Sequence, residues 1–385
     1  MPLLVYAVPF LASIVSGALL FAFPLTVTEA THDTFLSGIV VLISGITYII
    51  TTFVLMITKP ADRLSLILVY VGLGLLAAAG LFPVLWMPNW QWAYIYTVGQ
   101  GVGSALFLVC FQIVLQAVAA RYSIAVAFGN FIMAWALGYA VGPFVSGLFV
   151  GASPSLPLWF ATGTALVAIV LMVIVERIDL SAHRAEPNPL PVTAGDIRFG
   201  WALIFLGGFF LTTYRGIFPD FGSSVGFSAS TTGTLLLILF LSVFISAYVL
   251  RKIYPAFLTK PWLLFLNLLA YIVACALLAT QTLTAAYVAV VVLGFGIAMG
   301  YFFAGSYALS DIPNKSRNVS INETVVGVAA IGGPLVGSSV ASQYGYSWFF
   351  LASLVLSAVV FIAGYISRVV SGRGKTAGTT PEVSS

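Results

Sequence analysis

The sequence has few charged residues, few histidines and few cysteines. Only 7% of its 385 residues are Asp, Glu, Lys or Arg, whereas an average soluble protein has about 25%. So little charge excludes an ordinary water-exposed surface. The two cysteines, Cys110 and Cys275, lie in separate apolar runs, and there are only two histidines. A disulfide framework and a metal cluster of these residues are therefore excluded, and we expect no cofactor or metal.

Nucleotide-binding and catalytic motifs are also missing. The chain has no G-x4-G-K-[ST] sequence, and the glycines at 99, 101 and 103 lie inside an apolar run and do not follow a strand. No pattern of residues supports catalysis, so we do not expect an enzyme. The net charge of +4 is explained by basic loops beside a membrane, so we expect no nucleic-acid partner.

Hydrophobic residues, in contrast, make up 61% of the chain. Crossing the hydrocarbon core of a bilayer takes about 20 apolar residues, and the sequence contains twelve such runs. They are residues 3–25, 35–57, 64–86, 91–117, 123–150, 157–176, 200–221, 231–250, 262–280, 284–309, 318–341 and 346–367. We therefore predict an all-α integral membrane protein with twelve transmembrane helices.

The basic residues predict how these helices are oriented. With twelve spans and a cytoplasmic N-terminus, every Lys and Arg except Arg215 falls on a cytoplasmic connection, and the outer connections have none. This asymmetry follows the positive-inside rule. We therefore predict a multi-pass protein of the plasma membrane with both termini in the cytoplasm.

The chain is predicted to consist of two six-helix halves, residues 1–176 and 199–370. A polar stretch, 177–198, separates them as a cytoplasmic linker, and residues 371–385 form a polar tail that we expect to be disordered. Sequence landmarks recur in both halves: Phe-Pro occurs at 23–24 and 218–219, and Gly-Pro at 142–143 and 333–334. This repetition indicates duplication and pseudo-symmetry, an architecture known among transporters.

The fifth span carries a regular series of small residues around a proline. The series consists of Gly129, Gly138, Gly142, Pro143, Ser146 and Gly147. Except for the serine, it matches the antiporter motif G-x8-G-x3-G-P-x2-G-G of the major facilitator superfamily, which the chain resembles over essentially its whole length. That resemblance implies two halves that rock about a central cavity, and the motif implies export driven by inward proton movement.

Other motifs of that family are incomplete. Only Asp62-Arg63 remains of the motif between the second and third spans, where the resemblance implies a cytoplasmic lock. Thr97 stands where drug-antiporter members have an arginine, so their arginine-based proton relay does not carry over.

The small residues themselves predict a place of close helix packing. Residues 138, 142 and 146 are four apart, so they form one strip on a helix face, where another backbone can approach closely. The glycine-proline series is therefore predicted to be a bent seam that serves as a hinge or seal. Its members are Gly138, Gly142, Pro143 and Gly147 in the fifth span, with Gly333, Pro334 and Gly337 in the eleventh.

Glu323 is the first candidate for proton coupling or substrate contact. A carboxylate inside the bilayer costs about 2.5–3.5 kcal/mol, so it should face a cavity or a partner. The alternative is an acid at the helix end that pairs with Lys315 or Arg317 at a cytoplasmic gate. Glu29 and Asp33, at the outer end of the first span, are further candidate proton carriers.

Arg215 is the only basic residue inside a span. It is a candidate anchor for an anionic or polar group of a substrate, or one member of an outer-gate ion pair with Glu29 or Asp220. Tyr139 and Asn130 in the fifth span are candidate cavity residues, and packing or interhelical hydrogen bonding is the alternative for both.

The function predicted from these features is secondary transport by alternating access. We expect proton-coupled export of a small, mostly hydrophobic organic molecule by a protein that is a monomer in the lipid bilayer. One alternative is uptake or uniport of a sugar or organic anion anchored by Arg215. An alternative of another class is a transporter-like receptor that binds a ligand without moving it across the membrane.

Overall fold

The computed structural model describes residues 4–31, 34–86, 89–119, 123–150, 152–153, 155–177 and 189–376, and this part of the chain forms twelve helices. Each of these helices is long and apolar enough to cross a membrane, and this confirms the twelve predicted spans. In the case of α9 the span includes the short 3-10 turn before the helix. The helices are α1 (Leu4–Thr31), α2 (Thr34–Thr58), α3 (Asp62–Leu85), α4 (Ala93–Ala119), α5 (Ile124–Val150), α6 (Leu156–Val175), α7 (Ala194–Ser224), α8 (Ala229–Thr259), α9 (Phe265–Ala279), α10 (Leu283–Ser310), α11 (Lys315–Tyr344) and α12 (Tyr346–Thr376).

Two helices reach into stretches that the sequence assigned to the linker and the tail. Helix α7 starts at Ala194 because Thr193 and Asp196 form a reciprocal cap: the Thr193 N–H donates to Asp196 Oδ2 at 2.8 Å, and the Asp196 N–H donates to the Thr193 hydroxyl at 3.2 Å. The other Asp196 oxygen accepts from Arg368 of α12 at 2.7 Å. Helix α12 runs through Thr376, whereas 178–188 and 377–385 lie outside the described residues.

The first six helices (the first helical group) pack chiefly on one another, and so do the last six (the second helical group). Each strong pairing in the first group has a counterpart six helices later. Thus α1 packs on α5 and α6 as α7 packs on α11 and α12, and α4 packs on α2 and α3 as α10 packs on α8 and α9. The groups meet mainly through α2 with α11 and α5 with α8. The packing agrees with an internal duplication; separate movement of two halves stays a prediction.

The glycine-proline series forms a seam inside each group. A Cβ on Gly138 would lie 2.4 Å from the Phe10 carbonyl oxygen, and one on Gly142 would lie 2.4 Å from that of Ile14, so α5 lies directly on the α1 backbone. A Cβ on Gly17 of α1 would lie 2.9 Å from the Pro143 ring, so this ring also lies close to α1. Near the end of the strip Gly147 is looser, since its Cβ would be 3.8 Å from Phe21.

The repeat in α11 packs on α7 in the corresponding way. A Cβ on Gly333 would meet the Thr213 hydroxyl at 2.2 Å and the Phe209 carbonyl oxygen at 3.1 Å. Gly337, one turn further on, is buried, and Pro334 lies inside the helix. Both seams join helices of the same group, so they set the shape of each group and leave the contact between the groups to other residues.

Candidate functional site

Polar contacts between the two helical groups gather at one end of the bundle. We call it the basic end, since Lys59, Arg63, Lys260, Lys315 and Arg317 lie at the helix ends there. Within the described part of the chain, the hydrogen bonds and the ion pair that join the groups lie between this end and the middle of the helices. They are Asp62–Lys315 at 2.8 Å, Ser123–Tyr254 at 3.0 Å, Gln116 to the Leu309 carbonyl at 3.0 Å, Thr52–Thr324 at 3.0 Å, Asn130–Arg251, and two bonds to Glu323.

Two candidates from the sequence lie at this end. Asp62 forms an ion pair with Lys315 across the groups, and the Arg63 side chain is exposed, so a locking role for the Asp62-Arg63 motif stays a prediction. Asn130 accepts a hydrogen bond from the Arg251 guanidinium of α8. Its place at the basic end makes Asn130 part of the α5–α8 contact and separates it from the residues described next.

Glu323 lies at the centre of the contact between α11 and the first group. Its Oε2 accepts a hydrogen bond from Tyr48 of α2 at 2.5 Å, and its Oε1 accepts one from Gln112 of α4 at 2.6 Å. The residue is 6% exposed. Hydrogen bonds to a charged group are worth about 1.5–3 kcal/mol each, so two of them offset much of the cost of burying the carboxylate.

The partners of Glu323 correct one interpretation of the sequence. Lys315 pairs with Asp62, and Arg317 is exposed, so the alternative in which either of them neutralises Glu323 is wrong for this conformation. Lys315 and Arg317 precede Glu323 by eight and six residues on the same helix, which made them candidate partners. The residues that bond to the carboxylate come instead from α2 and α4. Glu323 is held by neutral donors alone as far as the described residues show.

An aromatic wall lies between the groups at mid-helix. It consists of Trp135 and Tyr139 of α5, Phe240 of α8 and Tyr301 of α10, all less than a tenth exposed. Trp135 stacks on Tyr301 with ring centroids 5.3 Å apart, and Tyr139 stacks on Phe240 at 6.3 Å. Tyr139 and Trp135 also touch each other at 5.3 Å. The wall provides a large apolar surface with two phenol hydroxyls.

Arg215 joins this wall from α7. Its guanidinium carbon lies 5.3 Å from the Tyr139 ring centroid, a cation–π contact worth about 0.5–2 kcal/mol. The side chain is half-buried. Glu29 is exposed and makes no ion pair with it in the described structure. The Asp220 side chain and Asp33 lie outside the described residues, so a pair between Asp220 and Arg215 stays a prediction.

Together, Glu323 with its donors, the aromatic wall and Arg215 form the central cluster. The cluster combines a carboxylate that can take up or release a proton, a cation that can hold an anion, and an aromatic surface for an apolar body. In this conformation the rings of the wall and the Arg215 guanidinium pack against one another. A small apolar cavity lies elsewhere, inside the second group, against Phe210, Tyr214, Phe218 and Phe350. The described residues include no set of three His, Cys, Asp or Glu that could hold a metal ion.

Tyr48, Phe240 and Tyr301 were not predicted as site residues. The chain has 17 tyrosines and 30 phenylalanines, and nothing in the local sequence separates these three from the rest. Gln112 offered a usable signal, since an amide inside a span needs a partner. Its contact with a residue 211 positions away depends on how the two groups face each other.

The sequence and the fold were compared with protein-family models and with solved structures. The model of the Major Facilitator Superfamily matches residues 5–319. Among solved structures, that of the human organic anion transporter MFSD10 (TETRAN) superposes with a TM-score of 0.73, covering 94% of this chain and 98% of that one. The two sequences are 14% identical, so this likeness shows the fold alone. No curated protein matches the sequence.

Proposed function

The chain belongs to the major facilitator superfamily, and from this premise we propose that it exports a small, mostly hydrophobic organic molecule in exchange for protons. Membrane transport follows from the family; the substrate, the direction and the coupling ion are the proposal. Glu323 is the observation that carries it. A carboxylate that connects α2, α4 and α11, and whose hydrogen-bond donors among the described residues are neutral, changes the contact between the groups when it gains or loses a proton.

The conformation supports alternating access. With the predicted orientation, in which the basic end is cytoplasmic, the polar contacts between the groups close the cytoplasmic side. Breaking these contacts and forming others at the opposite end would expose the central cluster to the cytoplasm. The seams inside each group stay intact in such a motion, because they join α1 to α5 and α7 to α11.

The proposal is tested with purified protein in liposomes. A panel of hydrophobic cations, neutral aromatic compounds and aromatic carboxylates is offered with and without an imposed pH gradient, while a pH-sensitive dye follows proton movement. Export coupled to protons requires that at least one compound move faster with the gradient and that protons move in the opposite direction. Equal rates with and without the gradient would overturn the coupling, and binding without transport would favour a receptor.

Arg215 supports a second candidate, transport of an organic anion. The guanidinium sits over Tyr139 beside an apolar aromatic wall, which suits a negatively charged group on a hydrophobic body. The structural neighbour is itself named an organic anion transporter. Aromatic carboxylates in the panel distinguish this candidate from transport of neutral or cationic compounds.

If Arg215 holds an anion, Arg215→Gln should lower the transport of aromatic carboxylates by about tenfold or more, since a charge-assisted bond to a carboxylate is worth at least 1.4 kcal/mol. Arg215→Lys should keep part of the rate, because the charge remains. Tyr139→Phe keeps the ring under the guanidinium and should have little effect. Initial rates of uptake into liposomes measure all three. Equal slowing of anionic and neutral compounds by Arg215→Gln would contradict the role.

Closure at the basic end predicts a cross-link. The hydroxyls of Thr52 and Thr324 are 3.0 Å apart across α2 and α11, so Thr52→Cys with Thr324→Cys should form a disulfide under mild oxidation. Transport should fall below about a tenth of the unmodified rate and recover with a reductant, because α2 and α11 must separate in each cycle. The two native cysteines are buried, and each single variant is a control. Full transport by the cross-linked protein would refute the motion.

A further inference from the structure

Two cations at the basic end of α8 converge on one tyrosine at the surface of the bundle. The Arg251 guanidinium carbon lies 4.6 Å, and Lys252 Nζ 4.2 Å, from the Tyr248 ring centroid. Lys252 Nζ also donates a hydrogen bond to the Tyr248 hydroxyl at 2.6 Å. Lys252 is exposed and Tyr248 is 38% exposed. The tyrosine thus holds two positive charges close together.

This positive charge is not neutralised by the described part of the protein. The two ion pairs seen there use Lys315 and Arg368. Arg251 bonds to the neutral amide of Asn130, and Lys252 to the tyrosine. Adjacent like charges raise each other's energy, and an anion placed between them would remove that cost. The arrangement therefore suits a negatively charged ligand.

The course of α8 indicates where that ligand comes from. Its 31 residues extend over about 46 Å at 1.5 Å per residue, longer than the hydrocarbon core of about 30 Å. Leu241, Ile245, Tyr248 and Lys252 follow one another on a single exposed face. The order from apolar to tyrosine to lysine is typical of a helix that passes from hydrocarbon to lipid headgroups.

We propose that Tyr248, Arg251 and Lys252 form a binding site for the phosphate of an anionic phospholipid. The guanidinium suits a bidentate contact with phosphate oxygens, and the lysine contributes a point charge. The acyl chains would lie along Leu241 and Ile245. Because Arg251 also holds Asn130 of α5, the bound lipid stabilises the α5–α8 contact and with it the closed basic end. This site is independent of proton coupling and of the transported compound.

Native mass spectrometry of the purified full-length protein, titrated with phosphatidylglycerol or phosphatidylcholine, tests the site. We expect one phosphatidylglycerol to bind more tightly than phosphatidylcholine. Lys252→Gln should weaken its binding about fivefold, the effect of one cation near an anionic surface. Lys59→Gln is the matched control, since Lys59 is an exposed cation at the same end of the bundle and the change in charge is identical. It should leave binding unchanged.

Three results would overturn the site. Equal weakening by Lys252→Gln and Lys59→Gln would show diffuse surface charge in place of a defined site. No preference for phosphatidylglycerol over phosphatidylcholine would exclude recognition of the headgroup charge. Displacement of the lipid by equimolar glycerol 3-phosphate would show that the site takes soluble phosphates. Thermal unfolding of each variant in phosphatidylcholine alone shows whether it is folded. We expect no loss for Lys252→Gln, since the hydrogen bond that Lys252 forms among the described residues is to Tyr248 of its own helix.

Discussion

Glu323→Gln is expected to reduce transport driven by a pH gradient to less than about a tenth of the wild-type rate, a loss of at least 1.4 kcal/mol. The amide cannot release or take up a proton, but it has the shape of the carboxyl group and can still bond to Tyr48 and Gln112. The protein should therefore fold, and exchange of labelled for unlabelled compound without a gradient should persist. Paired measurements of gradient-driven transport and exchange in liposomes separate the two steps.

The chain provides a matched control for this substitution. Glu176, at the end of α6, also accepts a tyrosine hydrogen bond, from Tyr70 at 2.6 Å, but both residues belong to the first group and lie outside the central cluster. Glu176→Gln should transport like the wild type. If the two variants lose gradient-driven transport equally, or if Glu323→Gln keeps it, Glu323 is not the coupling group.

The twelve helices could be predicted from the sequence because the bilayer imposes a constraint on each helix separately. A span must be apolar over about 20 residues whatever its neighbours are, so composition alone locates it. Linker and tail boundaries were less predictable. Thr193 and Asp196 have the spacing of a cap that starts a helix. The many charged residues of 177–198 nevertheless favoured a loop, so the helix start was not predicted there.

The candidate site could be predicted in part, since Tyr139, a candidate cavity residue, lies in the aromatic wall, and two charged residues were recognised as well. Glu323 and Arg215 stood out because charge inside a span is costly, and both belong to the central cluster. Their partners could not be predicted, since Tyr48 and Glu323 are 275 positions apart and meet only through the pairing of α2 with α11. The glycine series predicted a seam but not its partner helix, which is α1, where the small residues Ser13 and Gly17 lie against it.

The seam between α1 and α5 leads to the second prediction with a large effect, which concerns the stability of the protein. Gly142→Ala should lower the yield of folded protein and its unfolding temperature, because the new Cβ would lie 2.4 Å from the Ile14 carbonyl oxygen. The α1 backbone cannot move aside without separating the two helices. Overpacking costs about 1–3 kcal/mol or more, which exceeds the gain of about 1 kcal/mol from alanine in a helix. Size-exclusion profiles and thermal unfolding in detergent measure the loss.

Two neighbouring glycines of α11 provide controls that rank the expected loss of stability against that of Gly142→Ala. Gly332 has nothing within 4 Å of an added Cβ, so Gly332→Ala should be neutral or stabilising. At Gly333 the nearest atom is the side-chain hydroxyl of Thr213, with the Phe209 carbonyl at 3.1 Å. A side chain can rotate away, so Gly333→Ala should fall between Gly332→Ala and Gly142→Ala. If Gly142→Ala proves as stable as Gly332→Ala, the close contact of α5 with α1 is not what holds the first group together.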